Sequence, residues 1–174
     1  RRTMAFTSLG EIVELGDPRM KRRAIERLSK RPSPDAVRLL QRALRDPHAD
    51  IQILAASALS RIEGRVTEET RKAERISAHS PDSASAKALL GNQYFDYVYL
   101  GLLDPESRVF YLRRAIRAFR ESLTLSPDQP EVLVRLGRAL FATLVGVLVI
   151  IFTVSSITII PGVYWSVAGL GVAY

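Results

Sequence analysis

The sequence predicts an all-α protein, a short solenoid of paired helices joined to a hydrophobic segment that enters a membrane. Three observations predict this fold. An Asp-Pro motif occurs twice, the apolar positions that recur at helical spacing after each copy match at an offset of 31 residues, and the last 36 of the 174 residues carry no charge. Such a repeat is typical of stacked helix pairs, and a long uncharged stretch is typical of a bilayer span.

The charged residues divide the chain into two unlike parts. All 25 Lys and Arg and all 18 Asp and Glu lie within residues 1–138, and residues 1–75 alone carry a net charge of +6. The chain has no Cys, which excludes disulfides and thiolate metal sites and is typical of a reducing compartment. We therefore expect a soluble part followed by a membrane part.

The first repeat unit is a helix pair that is used twice. Asp17-Pro18 and Asp46-Pro47 are good helix starts, because Asp can cap free amides and Pro is tolerated in the first turn. A further helical stretch precedes each of them, roughly over residues 4–15 and 34–44. The predicted buried positions match between the copies, Met20 with Ile51, Ala24 with Ala55, and Leu28 with Leu59.

These residues resemble HEAT repeats over about residues 9–62. In that family the second helix of each pair opens with Asp, followed by an apolar residue and then by small residues that pack on the neighbouring helix. The usual Val-Arg pair stands here as Met20-Lys21 and Ile51-Gln52, so the second copy lacks the basic residue. The resemblance implies a HEAT-like repeat domain over residues 1–63, and a plain four-helix bundle is the alternative.

A second type of repeat follows a polar stretch. We predict a linker or a connecting helix over residues 64–82, where Gly, Ser and Pro occur. Residues 83–138 resemble tetratricopeptide repeats through Leu90-Gly91, Tyr94, Ala115, Phe119 and Pro127. Leu136-Gly137 repeats Leu90-Gly91 at an offset of 46, whereas the family period is about 34. The extra residues fall within residues 95–111.

The last part of the chain is predicted to be a transmembrane segment over residues 139–174. Residues 139–160 are uncharged, and about 20 apolar residues suffice for a helix to cross a bilayer. Pro161-Gly162 is predicted to end this helix, and the remainder could form part of a second span. Arg and aromatic residues flank the segment, as is typical of membrane interfaces. They are Arg135, Arg138, Tyr164 and Trp165.

Residues that carry chemistry are few. His48 and His79 have no second His or Cys at ligand spacing. The sequence contains no Gly-rich phosphate loop and no nucleophile elbow. We therefore expect no enzymatic activity, no cofactor, no metal and no small-molecule substrate.

Basic residues are dense in the second helix. Arg19, Arg23, Arg27 and Lys30 would form one row on a helix, opposed only by Glu26. Three interpretations stay open: a solvated face, contact with anionic lipid headgroups, and contact with an acidic protein. Nucleic acid is not expected, because no aromatic residues are interleaved with the charges. The candidate contacts are Arg19, Arg22, Arg23, Arg27, Lys30 and Arg31.

Aromatic residues cluster in the stretch that exceeds the repeat length. Aromatic side chains are enriched in binding hot spots, so Tyr94, Tyr97 and Tyr99 are candidate partner contacts. The alternative is that they pack inside an elongated repeat.

The predicted architecture and the lack of catalytic, cofactor or metal sites together predict a membrane-tethered cytoplasmic scaffold. This scaffold would bind lipid and other proteins of an inner-membrane complex. The order of the repeats over residues 1–140 resembles the PelE family of the bacterial Pel exopolysaccharide secretion system. That resemblance implies a bacterial inner membrane and partners in polysaccharide synthesis and transport. The family is expected to carry its membrane helices before the repeats, whereas here the hydrophobic segment follows them. The alternatives are a regulatory or substrate-binding module of a transporter and a nucleic-acid-binding repeat protein.

Overall fold

This computed structural model describes the backbone of residues 2–171 and the side chains of residues 9–149 and 151–153. The described backbone forms helices and connecting turns, with no strand between residues 2 and 171. The helices are α1 (Arg2–Leu15), α2 (Pro18–Lys30), α3 (Pro34–Ala43), α4 (Ala49–His79), α5 (Ala84–Leu100), α6 (Pro105–Leu125) and α7 (Pro130–Gly171). The predicted all-α fold is confirmed, and the solenoid stays a prediction.

Short polar side chains fix the starts of four helices. Each accepts a hydrogen bond from an amide of the first turn, and the capping residues are Asp17, Ser33, Ser83 and Asp104. Such a cap stabilises a helix by about 1 kcal/mol. At the other end of α5, Gly101 has a φ of 75°, a left-handed conformation that glycine adopts without a steric penalty. The helix boundaries therefore follow from local sequence.

The first four helices pack around an aliphatic core. Ile25 of α2, Leu40 of α3, and Ile51 and Ile62 of α4 are at most 2% exposed. Burying one such side chain contributes about 1.5–3 kcal/mol to folding. The predicted pairs of helices thus share one core, and α1 joins it through Val13.

Met20 departs from the predicted pattern. It is 47% exposed, whereas its counterpart Ile51 is fully buried. The neighbouring residue Lys21 takes the buried position instead, because its ammonium group pairs with a buried carboxylate. Ala24 and Leu28 are each 2% exposed, as predicted.

The polar stretch after the first unit is helical. α4 runs without interruption across Gly64, and its buried residues recur every three or four positions over its whole length. Of the two structures predicted for residues 64–82, the connecting helix forms as far as His79. A glycine inside a helix costs about 1 kcal/mol relative to alanine, which is less than the packing of this buried stripe contributes.

A second core lies between α5, α6 and the start of α7. It contains Tyr94, Ala115, Phe119 and Val132. The ring of Tyr111 joins the two cores, since its centroid lies 5.8 Å from that of Tyr94 and 5.0 Å from that of Tyr97, which belongs to the first core. Residues 95–111, which contain the extra length of the tetratricopeptide-like repeat, therefore attach α5 and α6 to the first four helices.

α7 is a single helix of 42 residues. Val132 and Ala139 are buried against the preceding helices, at 7% and 0% exposure, and the helix then continues as an apolar segment. The break predicted at Pro161 is wrong, because the helix continues through it to Gly171. A proline removes one helical hydrogen bond and crowds the preceding turn, but long apolar helices tolerate this as a local adjustment.

Candidate interaction surfaces

A buried ion pair positions α2 against the turn that precedes α4. The Lys21 ammonium donates to the Asp46 carboxylate, and both side chains are buried. The other Asp46 oxygen accepts from the His48 backbone N–H at 2.9 Å and lies 3.0 Å from the His48 ring Nδ1. Burial raises the pKa of Asp46, but the hydrogen bonds from Lys21 and His48 outweigh it and lower that pKa to about 2.

The prediction that Asp46 caps a helix is therefore wrong. α4 begins at Ala49, after His48, and that residue makes no side-chain cap. Asp17, the first copy of the motif, does cap its helix by accepting from the Met20 amide at 2.9 Å. The two Asp-Pro motifs thus have different roles, because Asp46 pairs with Lys21 whereas Asp17 caps α2.

The predicted basic row of α2 lies on the surface. All six candidate contacts are exposed, namely Arg19, Arg22, Arg23, Arg27, Lys30 and Arg31. Arg22 pairs with Asp50 of α4, and Lys30 pairs with Glu26 at 2.8 Å. Among the ion pairs of the described side chains, none includes the other four. The row is thus available to an anionic partner, and that role stays a prediction.

Two of the three tyrosines predicted as partner contacts are in the core. Tyr94 and Tyr97 are 4% and 5% exposed, so neither is available to a partner and the prediction is wrong for both. They are buried because the turns of α5 that carry them pack against α4 and α6. Tyr99 is 66% exposed, with its ring stacked on Phe95. Its role as a partner contact stays a prediction.

The Tyr94 hydroxyl joins three helices. It donates to Glu74 Oε1 of α4 at 2.6 Å, and Arg114 Nη1 of α6 donates to the same Glu74 oxygen at 3.1 Å. Burial and the bond to Glu74 raise the pKa of Tyr94 well above its ordinary value. The Arg114 guanidinium carbon lies 4.9 Å from the Phe110 ring centroid and 5.5 Å from that of Tyr94. This network is structural, because its polar groups satisfy one another.

The candidate membrane segment begins inside the folded bundle. Within α7, the stretch Pro130–Thr153 is long and apolar enough to cross a membrane by length and composition. Arg135 pairs with Asp96 of α5 at 3.1 Å, and Arg138 is exposed. Tyr164 and Trp165, the other predicted interface residues, lie outside the residues whose side chains the structure describes.

A further set of exposed residues was not predicted from the sequence. Arg113, Arg117 and Arg120 lie on one exposed face of α6, and their spacing of four and three residues is visible in the sequence. Within the residues described, no group of three His, Cys, Asp or Glu side chains is placed to hold a metal ion. The surfaces that stand out are therefore basic or apolar.

The comparisons with known proteins give one match. The family model for HEAT repeats matches residues 6–89, which comprise most of α1, all of α2 to α4 and the start of α5. No match was found among curated proteins or among solved structures. HEAT repeats commonly mediate protein–protein scaffolding, and proteins built from them are typically not enzymes. Residues 6–89, just under half of the 174-residue chain, are therefore similar to HEAT repeats.

Proposed function

We propose that this protein is a scaffold that α7 tethers to a membrane and whose repeats bind other proteins. The observation that carries the proposal is that one helix belongs to both parts. α7 begins in the second core at Val132 and continues into an apolar stretch where Leu144, Leu148 and Phe152 are 56%, 55% and 75% exposed. A large exposed apolar surface marks contact with lipid or with another protein, and a continuous helix places that contact at a fixed position relative to the repeats.

The charge distribution supports a cytoplasmic position for the repeats. Residues 1–138 carry the whole net charge of +7, and Arg138 lies directly before the uncharged segment. Basic residues next to a span favour the cytoplasmic side. The location we propose is the inner membrane of a bacterium.

The partners we propose are other subunits of a membrane complex. The match to HEAT repeats supports protein binding by the first unit. The close packing of α5 on α6 through Gly91 and Phe119 supports a tetratricopeptide-like unit over residues 83–138. Because the order of repeats over residues 1–140 resembles that of the PelE family, the complex we propose is one for exopolysaccharide synthesis and export. The basic row of α2 and Tyr99 would be contacts for partners or anionic lipid.

Membrane fractionation tests the tether. We expect the full chain to stay in the membrane pellet after an alkaline carbonate wash and to float with lipid. Leu144→Arg/Leu148→Arg should release it, because each charge at a bilayer centre costs about 3 kcal/mol. Ile53→Arg, at a site that is 68% exposed on α4, is the control and should leave the chain in the membrane. Release of the unmodified chain by carbonate would refute the tether.

Affinity capture tests the scaffold. The full chain, solubilised in mild detergent from native membranes, should bring down a reproducible set of membrane proteins. A chain that stays in the membrane but captures no stable partner would show an anchored protein without the proposed scaffold function.

A further inference from the structure

A second basic row lies on α6, separate from that of α2. Arg113, Arg117 and Arg120 are exposed and share one face of the helix. With Ile116 and Thr124 they line a shallow groove along that face. At 1.5 Å of rise per residue the three arginines span about 10 Å.

The neighbouring charges leave this row without a counter-ion. Arg114, beside the row, pairs with Glu74 at 3.1 Å, and Glu121 pairs with Lys87 of α5 at 2.9 Å. Among the ion pairs that the described side chains form, none includes Arg113, Arg117 or Arg120. The one carboxylate in the groove is thus already neutralised, and three guanidinium groups remain for an external anion.

We propose that this α6 row docks an acidic helical segment of a partner protein. A guanidinium group pairs with a carboxylate through two parallel hydrogen bonds. Residues three and four apart on a helix lie about 5–6 Å from one another, so acidic residues at the same spacing on a partner helix would match the row in register. Lipid headgroups are mobile and need no such linear spacing, which favours a protein as the occupant.

The proposal deepens the scaffold function, on which it rests. The α2 row lies in the first core unit and the α6 row in the second. Each unit therefore has its own basic surface. Two docking surfaces on one chain would allow it to hold two partners at once, which is what a scaffold requires.

A defined peptide tests the row. The probe is a fluorescent alanine-based helical peptide with three Glu at positions i, i+4 and i+7, and its control has the same composition with the three Glu adjacent. Binding to the full chain in neutral detergent is measured by fluorescence anisotropy. The variant Arg113→Gln/Arg117→Gln/Arg120→Gln removes the row, and Gln keeps the helix propensity close to that of Arg. Arg19→Gln/Arg23→Gln/Arg27→Gln removes the same charge from α2.

The expected result is a loss of about tenfold in affinity for the spaced peptide in the α6 variant, with less than about a twofold loss in the α2 variant. The peptide with adjacent Glu should bind the unmodified chain several-fold more weakly. Equal losses of affinity in both variants would show that binding depends only on net charge, and this would overturn the proposal. Binding of short-chain phosphatidylglycerol to the row in place of the peptide would indicate a lipid site and would also overturn it.

Capture from membranes separates this proposal from the scaffold function. If the α6 variant brings down fewer of the proteins that the unmodified chain captures, the row is a docking surface. If it captures the full set, the scaffold function stands and the α6 row is not part of it.

Discussion

The ring of Phe119 occupies the space that a side chain at Gly91 would need. A Cβ added to Gly91 would lie 2.6 Å from both Cδ1 and Cε1 of the ring. Phe119 is fully buried, so the ring has little room to retreat. The glycine therefore sets the approach of α5 to α6, and Gly137, its counterpart in the sequence, has nothing within 4 Å of the same position.

This contrast makes a prediction about two glycines. Gly91→Ala should lower the free energy of unfolding by about 1–3 kcal/mol, because it overpacks the second core. Gly137→Ala is the matched control, and it should raise stability by up to about 1 kcal/mol, since it adds helix propensity in open space. Denaturant unfolding in mild detergent, followed by circular dichroism, measures both. Equal effects of the two substitutions would contradict the close approach of α5 and α6.

The buried ion pair predicts a dependence of stability on pH. The folded state lowers the pKa of Asp46 from 3.8 to about 2, so folding favours its charged form. The stabilisation of about 2 kcal/mol is fully present above pH 4 and is lost as the pH falls towards 2. Unfolding of the protein and of Asp46→Asn, measured from pH 2 to 7, should give stability curves whose separation narrows by about 2 kcal/mol as the pH falls.

Removing one partner of that ion pair should be costly. Asp46→Asn leaves Lys21 buried without a counter-ion and should cost about 3–5 kcal/mol at pH 7. The double variant Lys21→Met/Asp46→Asn should recover part of this loss, because the uncompensated charge is gone. A double variant less stable than Asp46→Asn would show that Lys21 contributes to stability independently of the carboxylate. Thermal unfolding at pH 7 provides the comparison.

Tyr94 and Tyr99 should respond differently to loss of the hydroxyl. Tyr94→Phe removes the hydrogen bond to Glu74 and should cost about 1–2 kcal/mol, because the acceptor is charged. Tyr99→Phe is the control at an exposed position and should change stability by less than about 0.5 kcal/mol. Because folding raises the pKa of Tyr94, its contribution is complete below pH 10 and declines above that value. Unfolding at pH 8 and at pH 11 checks the sign.

Gly64 tests the continuity of α4. It lies exposed in mid-helix, and a Cβ added there would meet nothing within 4 Å. Gly64→Ala should raise stability by up to about 1 kcal/mol. Gly64→Pro should lower it by about 3 kcal/mol or more, because proline removes a hydrogen bond and clashes with the preceding turn. If both variants matched the unmodified protein, residues around Gly64 would not be helical in solution.

Local features of the fold could be predicted from the sequence. The cap at Asp17, the two helix pairs of the first unit and the apolar helix at the end each depend on residues within a few turns of one another. Periodicity and capping act over that range. The exposure of the α2 row follows from the same periodicity, since each of Arg23 and Arg27 lies one residue before a buried position, Ala24 or Leu28.

The sequence by itself determined that the chain is helical, that its charged residues end at Arg138 and that its last helix is apolar. Only the tertiary structure decided that Lys21 is buried in place of Met20, that Tyr94 and Tyr97 lie in the core, and that Asp46 pairs across helices. Each of these outcomes depends on which helix packs against which face, and that in turn depends on contacts between residues far apart in the chain. Helical spacing places side chains on faces, whereas the packing of helices decides which faces stay exposed to a partner.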